Sequence, residues 1–195
     1  MKTAAVIAIG SAVIALCGAA AVAEARCPVD GSPSVEVCRY SSALLMPSAF
    51  AALYAPRGDG LGTFTGGGLE VVLFTWSDSS ESFGPGQGKL HLDVALLRSS
   101  EDAPGLMTQF SGGVTLAFER NASRSWLIPT YAVAGGALRE RNLATRGFVD
   151  GGLGVYLYYS RRLIVDARAT YLIPWSDPDE LAGFRAKLAV SAALW

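Results

Sequence analysis

The stretch Lys89-Leu90-His91-Leu92-Asp93-Val94-Ala95-Leu96-Leu97 shows the pattern from which the fold is inferred, because polar and apolar residues alternate over its first six positions. Lys89, His91 and Asp93 fall on one side of an extended chain, and Leu90, Leu92, Val94 and Leu96 fall on the other. A period of two is typical of a β-strand whose two faces meet different surroundings. The stretch therefore predicts a strand that separates a polar face from an apolar face.

Similar stretches recur along the chain, separated by clusters of Gly, Pro, Ser, Asp and Asn, which is the pattern of strands joined by turns. None shows a sustained helical period. They are long, and strands that cross a bilayer need about 9 to 11 residues, whereas strands of soluble domains average about 5 to 6. The stretches are 43–55, 61–76, 89–98, 106–120, 126–138, 145–159, 162–175 and 181–195. We predict an all-β fold, an eight-stranded antiparallel up-and-down β-barrel over residues 43–195.

The beginning of the chain has the composition of a cleavable secretory signal. Lys2 supplies a positive charge, residues 3–23 are uncharged and rich in Ala, Val, Ile and Leu, and Ala23-Glu24-Ala25 matches a small-residue cleavage site. An uncleaved membrane anchor is the alternative, but glycines and alanines make this run only weakly apolar. The sequence therefore predicts a signal peptide over residues 1–25 and export from the cytoplasm.

Residues 26–42 carry two cysteines, Cys27 and Cys38, and no cysteine follows them. In an oxidising compartment such a pair favours one disulfide, with two unpaired thiols as the alternative. A single histidine and no further cysteine leave a tetrahedral metal shell incomplete. We predict an N-terminal periplasmic segment with a Cys27–Cys38 disulfide, and we expect no metal site and no cofactor.

The charge balance bears on possible partners. The chain has 16 Lys plus Arg against 17 Asp plus Glu, and these charges are scattered singly. Because nucleic-acid binding needs a concentrated basic surface, this composition argues against a nucleic-acid partner.

The signal, the eight long alternating stretches, the short Tyr159-Ser160-Arg161-Arg162 connection and the C-terminal aromatic residue together resemble the small eight-stranded outer-membrane β-barrels of Gram-negative bacteria. The resemblance covers about residues 43–195 and rests on general features. It implies an outer-membrane location, contact with outer-membrane lipid and insertion by the barrel insertion machinery. Trp195 is similar to the terminal aromatic residue that this machinery reads in family members. The oligomeric state is left open.

Several aromatic residues lie near the predicted strand ends, where the interfacial girdles of membrane barrels are found. Soluble β-proteins also place aromatic residues there, so this placement favours a membrane barrel only modestly. The residues are Tyr54, Phe64, Phe74, Trp76, Trp126, Tyr131, Tyr158, Tyr159, Tyr171 and Trp175.

If the polar faces point inward, they place charged and polar side chains in the barrel lumen. Side chains can fill the interior of an eight-stranded barrel, so we expect a plugged lumen. Buried charges of both signs must pair, which favours a structural salt-bridge network over an ion pathway. The predicted lumen residues are Glu70, Lys89, His91, Asp93, Gln109, Glu119, Asp150, Asp166, Arg168, Arg185 and Lys187.

Two motifs are candidates for a catalytic or binding site. His91 and Asp93 share a strand face, so an acid–base pair is conceivable. Some members of the resembled class modify lipid with Ser, His and an acid, but no serine motif lies in register with His91, which favours a histidine satisfied within the lumen. Gly66-Gly67-Gly68 sits in a strand pattern and predicts a bulge or a barrel kink rather than a phosphate cradle.

Three hypotheses follow. The first is an integral outer-membrane β-barrel with a structural or surface role, a plugged polar lumen and no enzymatic activity. The second is a secreted or periplasmic soluble β-barrel that binds an apolar ligand, as lipocalin-like cups do. The third and weaker is a barrel enzyme that modifies membrane lipid, which would depend on His91. The first two differ in whether the apolar faces point outward or inward.

Overall fold

The computed structural model describes residues 44–58, 61–77, 87–100, 105–118, 126–140, 144–160 and 162–193. Several predictions lie outside these residues. They concern the signal peptide 1–25, the segment 26–42 with Cys27 and Cys38, the lumen residue Glu119 and the terminal Trp195. These stay predictions.

The described residues form a closed antiparallel barrel in up-and-down order, which confirms the predicted fold class. Each strand pairs with the next along the chain, and the last strand pairs with the first, where Ser48 lies opposite Ser191. The strands are β1 (Leu44–Pro56), β2 (Phe64–Ser77), β3 (Gln87–Ser99), β4 (Leu106–Ala117), β5 (Trp126–Glu140), β6 (Arg146–Tyr159), β7 (Leu163–Pro174) and β8 (Gly183–Ala192).

The up-and-down order gives the barrel two distinct ends. At one end β1 begins and β8 finishes; we call this the near end. At the opposite end lie the connections β1–β2, β3–β4, β5–β6 and β7–β8; we call this the far end.

The alternation in β3 has the predicted result. Lys89 and His91 are fully buried, whereas Leu92 is 39% exposed and Leu96 is 56% exposed. Successive side chains of a strand point to opposite sides of a sheet, so in a closed barrel one set faces the lumen and the other faces outward. The polar residues Lys89, His91 and Asp93 of β3 therefore point inward, and Leu90, Leu92 and Leu96 point outward.

The inward-facing side chains form three layers along the barrel. The far apolar layer comprises Phe50, Ala52, Tyr54, Phe64, Ala95, Leu97, Met107, Leu138, Phe148, Leu172, Leu181 and Ala189. The near apolar layer comprises Met46, Val72, Ala117, Ile128, Tyr156, Tyr159 and Ile164. On β2, β6 and β7, the charged residues of the inner face lie between members of the far and near apolar layers.

The predicted bulge at Gly66-Gly67-Gly68 is wrong. These residues pair in regular register on both sides, and the register of β2 and β3 shifts instead between Val72 and Phe74. A Cβ atom at Gly68 would lie 2.7 Å from the Phe50 ring and 1.9 Å from the Val94 carbonyl oxygen. The glycine therefore lets the neighbouring backbone and an inward-facing ring approach closely.

The segment before β8 also differs from the prediction, which placed the start of the last strand at Leu181. Residues Pro178–Leu181 form a single helical turn, α1. The Leu181 side chain is buried in the far apolar layer, and its carbonyl oxygen accepts a hydrogen bond from the Tyr54 hydroxyl. This turn thus covers part of the far end. Within the described residues, no helix has the length and apolar character needed to cross a bilayer.

The aromatic residues divide between the two faces. The prediction of outward girdle positions is wrong for Tyr54, Phe64 and Tyr159, which are buried inside the barrel. The side chain of Trp76 lies outside those that the structure describes. Outward-facing aromatic rings form pairs near both ends of the barrel. The pairs are Phe118 with Tyr131 and Trp126 with Tyr158 at the near end, and Tyr171 with Phe184 at the far end.

Candidate functional site

The most distinctive chemical feature of the barrel is a buried charged layer between its two apolar layers. Ten of the eleven predicted lumen residues are buried, and Glu119 lies outside the described residues. Along β3, β7 and β8 the charged residues are two positions apart, so their side chains point to the same inner face. Closure of the barrel then brings β2 and β3 opposite β7 and β8, so that Glu70 meets Arg168, 98 residues away in sequence.

Glu70 lies at the centre of this layer and accepts hydrogen bonds from three cationic side chains. Its Oε1 atom is 2.6 Å from Lys89 Nζ. Its Oε2 atom is 2.8 Å from Arg168 Nη2 and 2.7 Å from Lys187 Nζ. The Glu70 side chain has no exposed surface, so these cations replace the water that would otherwise solvate its charge.

The three cations share two further carboxylates. Lys89 and Arg168 both pair with Asp166, with Arg168 Nε 2.8 Å from Asp166 Oδ2. Lys187 Nζ lies 3.0 Å from Asp93 Oδ2. Three positive charges thus face three negative charges, which is the balance that a buried ion cluster requires. We call this set the Glu70 cluster: Glu70, Lys89, Asp93, Asp166, Arg168 and Lys187.

A second, smaller ion pair lies beside the cluster. Arg185 on β8 pairs with Asp150 on β6, and the Thr170 hydroxyl donates a hydrogen bond to Asp150 Oδ2 over 3.4 Å. The Arg185 guanidinium also lies 5.9 Å from the centre of the Phe148 ring in the far apolar layer. This pair joins the charged layer to that apolar layer.

His91 takes part in the charged layer as a neutral side chain. Its Nε2 atom lies 2.9 Å from Arg168 Nη1. Because a guanidinium N–H only donates, Nε2 must accept, and the imidazole proton resides on Nδ1. Asp93 Oδ2 is 3.8 Å from Nε2, beyond hydrogen-bonding distance. His91 and Asp93 therefore do not form the direct hydrogen bond that an acid–base pair needs.

A small cavity adjoins these groups. It has a volume of about 10 Å³, close to the space of one water molecule, and His91, Asp150, Arg168 and Lys187 contribute to its lining. Within the described part of the chain, His91 Nδ1 and Asp150 Oδ1 have no hydrogen-bond partner. The cavity has the size and polar lining for one water molecule that accepts from the imidazole and donates to the carboxylate.

The fold brings together one set of possible metal ligands that sequence reasoning missed. One ligand atom from each of Glu70, His91 and Asp93 lies within 4.8 Å of the others. The two carboxylates already pair with Lys89, Arg168 and Lys187, and His91 Nε2 accepts from Arg168. A divalent cation would add charge to a balanced cluster, so these residues fit an ion-pair network better than a metal site.

Neutral polar groups complete the inner face. Gln109 is buried and its Nε2 donates to Met107 Sδ over 3.4 Å. Thr115, which the predicted set of lumen residues left out, accepts from Arg168 Nη1 at 3.2 Å through its hydroxyl and from the Tyr156 hydroxyl at 2.7 Å through its carbonyl. Thr115 and Gln109 are an even number of residues apart on β4, so the alternation of the sequence already places both side chains on the same face.

The outer face has the opposite character. Large apolar side chains are exposed on every strand, including Leu69 (71%), Leu153 (63%) and Phe184 (67%). The barrel therefore has charged residues inside and apolar residues outside.

Two solved outer-membrane barrels are similar to this chain. The N-terminal β-barrel domain of Pseudomonas aeruginosa OprF is 12% identical, with 79% of this chain and 98% of that chain covered and a TM-score of 0.43. The outer membrane enzyme PagL is 14% identical, with 74% of this chain and 98% of that chain covered and a TM-score of 0.45. No protein-family model matches the chain, and no curated protein matches it in sequence.

Proposed function

We propose that this protein is an integral outer-membrane β-barrel with a structural or surface role, whose lumen is closed by its own side chains. The observation that carries the proposal is the inverted polarity of the barrel. Glu70, Lys89 and Asp166 are fully buried, while leucines of the same strands and their neighbours are exposed. In water, this arrangement would bury charge and expose apolar surface at the same time, and both are unfavourable.

A bilayer removes the cost of exposing apolar surface to water. Transmembrane barrels have an apolar outer band and a polar interior, with aromatic residues near both interfaces. The outward aromatic pairs of this barrel lie near its two ends, as in the pairs Trp126–Tyr158 and Tyr171–Phe184. Monomeric soluble proteins rarely expose one large continuous apolar surface, and an all-round apolar belt is most simply covered by lipid.

The three inner layers support a closed lumen. Both apolar layers are built from buried side chains, and between them the Glu70 cluster pairs its charges. The cavity beside His91 is about the size of one water molecule, too small to form an aqueous path by itself. An eight-stranded barrel is narrow enough for side chains to fill its interior in this way.

The other two hypotheses fit the geometry less well. A soluble barrel for an apolar ligand needs an apolar cavity and a polar exterior, the reverse of what surrounds Glu70 and Leu153. A lipid-modifying enzyme needs a reactive group that lipid can reach. His91 is buried in the charged layer, and its Nε2 accepts from Arg168. Buried placement therefore favours a structural role for His91.

Cell fractionation combined with gel mobility tests the proposal. The full-length protein is expected in the outer-membrane fraction, with a mobility on SDS gels that changes on boiling as the folded barrel opens. Recovery in the soluble periplasmic or secreted fraction without a mobility change would overturn membrane residence. In planar bilayers, the folded protein should give no stable conductance steps, and discrete steps would overturn the closed lumen.

A further inference from the structure

Four outward-facing polar residues form a row at the far end of the barrel. Thr65 on β2 lies directly opposite Arg98 on β3, and Thr108 on β4 lies directly opposite Arg139 on β5. All four side chains are exposed. We call these residues the threonine–arginine row. The row alternates a hydroxyl and a guanidinium on four successive strands, and it steps by one outward position between β3 and β4, where Arg98 lies opposite Leu106 and Thr108 lies opposite Leu96.

The row differs from the rest of the outer face. Among the described strand positions that point outward, Arg98 and Arg139 are the charged residues, and both are cationic. No ion pair joins either arginine to a described residue. On the opposite side of the barrel, the outward positions of the far end carry Tyr171, Trp175 and Phe184 instead. The far end therefore has a cationic side and an aromatic side.

The row also marks the edge of the apolar belt. One outward position closer to the barrel centre, the strands carry Leu96, Phe110 and Ala137, and the first two are more than half exposed. A long arginine side chain at such a boundary can lay its methylene groups along apolar surface while its guanidinium reaches the polar interface. In a membrane-embedded barrel, this position would hold the two guanidinium groups at the depth of the lipid headgroups.

We propose that the threonine–arginine row binds the phosphate groups of an anionic outer-leaflet lipid. The inference rests on the proposed membrane residence, with the periplasmic N-terminal segment on the near side, which places the far end in the outer leaflet. A guanidinium donates two parallel hydrogen bonds to phosphate, and a threonine hydroxyl donates a third. Charge complementarity selects a phosphorylated lipid, and the apolar belt below the row accepts its acyl chains.

Acidic residues of the same chain are the alternative partners to lipid phosphate for Arg98 and Arg139. Glu101 and Asp102 follow Arg98 in the β3–β4 connection and lie outside the described residues. If they neutralised the arginines, loss of Arg98 and Arg139 would change lipid binding little. The test below separates this case from lipid binding.

Native mass spectrometry of the full chain in a neutral detergent, titrated with diphosphoryl lipid A, tests the inference. Each basic residue at an anionic membrane surface strengthens binding about fivefold, so the double variant R98Q/R139Q should bind about 30-fold more weakly. R57Q is the matched control, because Arg57 is an exposed arginine at the same end but outside the strands. It should bind as the unmodified protein does.

A second comparison needs no variant. Dephosphorylated lipid A should bind the unmodified protein about as weakly as the phosphorylated lipid binds R98Q/R139Q. Equal binding of both lipids, equal binding by R98Q/R139Q and the unmodified protein, or displacement of the lipid by millimolar inorganic phosphate would each overturn the inference. The boiling-dependent mobility shift is measured on every variant. Loss of lipid binding in R98Q/R139Q with the mobility shift retained would support lipid binding by the row. Absence of the mobility shift in the unmodified protein would overturn membrane residence itself.

Discussion

The inner and outer faces of β3 use the same nine-residue stretch for opposite purposes. Lys89 and Asp93 face inward and form ion pairs in the Glu70 cluster, while Leu92 and Leu96 face outward and are exposed. In a water-soluble barrel we would expect the reverse arrangement. This difference between the two faces is the basis of the proposal that lipid surrounds the barrel. Substitutions on the inner face and on the outer face should therefore destabilise the barrel for different physical reasons.

The largest effect is expected inside. Glu70→Ala removes the carboxylate that Lys89, Arg168 and Lys187 share, and it leaves their buried charges partly uncompensated. Loss of one partner of a buried ion pair costs about 3–5 kcal/mol, so the free energy of unfolding should fall by that amount. Urea unfolding in lipid vesicles, followed by tryptophan fluorescence, measures it.

The matched control is Glu180→Ala, because Glu180 is exposed on α1. A surface change of this kind should alter the unfolding free energy by no more than about 0.5 kcal/mol. Equal effects of the two substitutions would mean that the Glu70 cluster does not stabilise the barrel.

On the outer face, Leu153→Arg should have the next largest effect. Leu153 is 63% exposed near the middle of β6, where an arginine would face hydrocarbon. The expected cost in vesicles is about 2–4 kcal/mol, falling to about 0–1 kcal/mol for Leu106→Arg at the start of β4. Unfolding of both variants under the same conditions gives the comparison. If Leu153→Arg were tolerated as well as Leu106→Arg, water rather than lipid would surround the middle of the barrel.

His91→Ala should have a smaller effect. The substitution removes one acceptor of Arg168, which keeps its contacts with Glu70, Asp166 and Thr115. Loss of a hydrogen bond to a charged group lowers stability by about 1.5–3 kcal/mol at most, and the remaining partners favour the lower part of that range. The folded mobility on SDS gels should be retained and the lipid composition of the host membrane unchanged. A His91-dependent change in membrane lipid would revive the enzyme hypothesis.

The sequence predicts the strands well because every strand faces two unlike environments. The period of two placed β1 at 43–55 and β3 at 89–98, within one or two residues of the observed bounds. The same period placed ten predicted polar side chains on buried inner positions. Alternation is a local property, so it can be read without knowing which strands become neighbours.

Features that depend on the whole barrel could not be predicted in this way. Tyr54 and Phe64 are apolar residues that point inward, and alternation alone did not distinguish them from outward girdle residues. The pairing of Glu70 with Arg168 and Lys187 depends on barrel closure and strand stagger. The helical turn at Pro178–Leu181 is too short for a periodic signal.

The apolar outer face is expected to contact lipid, and spin-label accessibility on β8 measures this contact. With the native cysteines replaced by serine, one label is attached at Leu188→Cys, an outward position in the middle of β8, and another at Glu180→Cys on exposed α1. In vesicles, the label at position 188 should be relaxed strongly by oxygen and weakly by a water-soluble nickel chelate, with the reverse at position 180. Strong relaxation by the nickel chelate at position 188 would mean that water, and not lipid, surrounds the middle of β8.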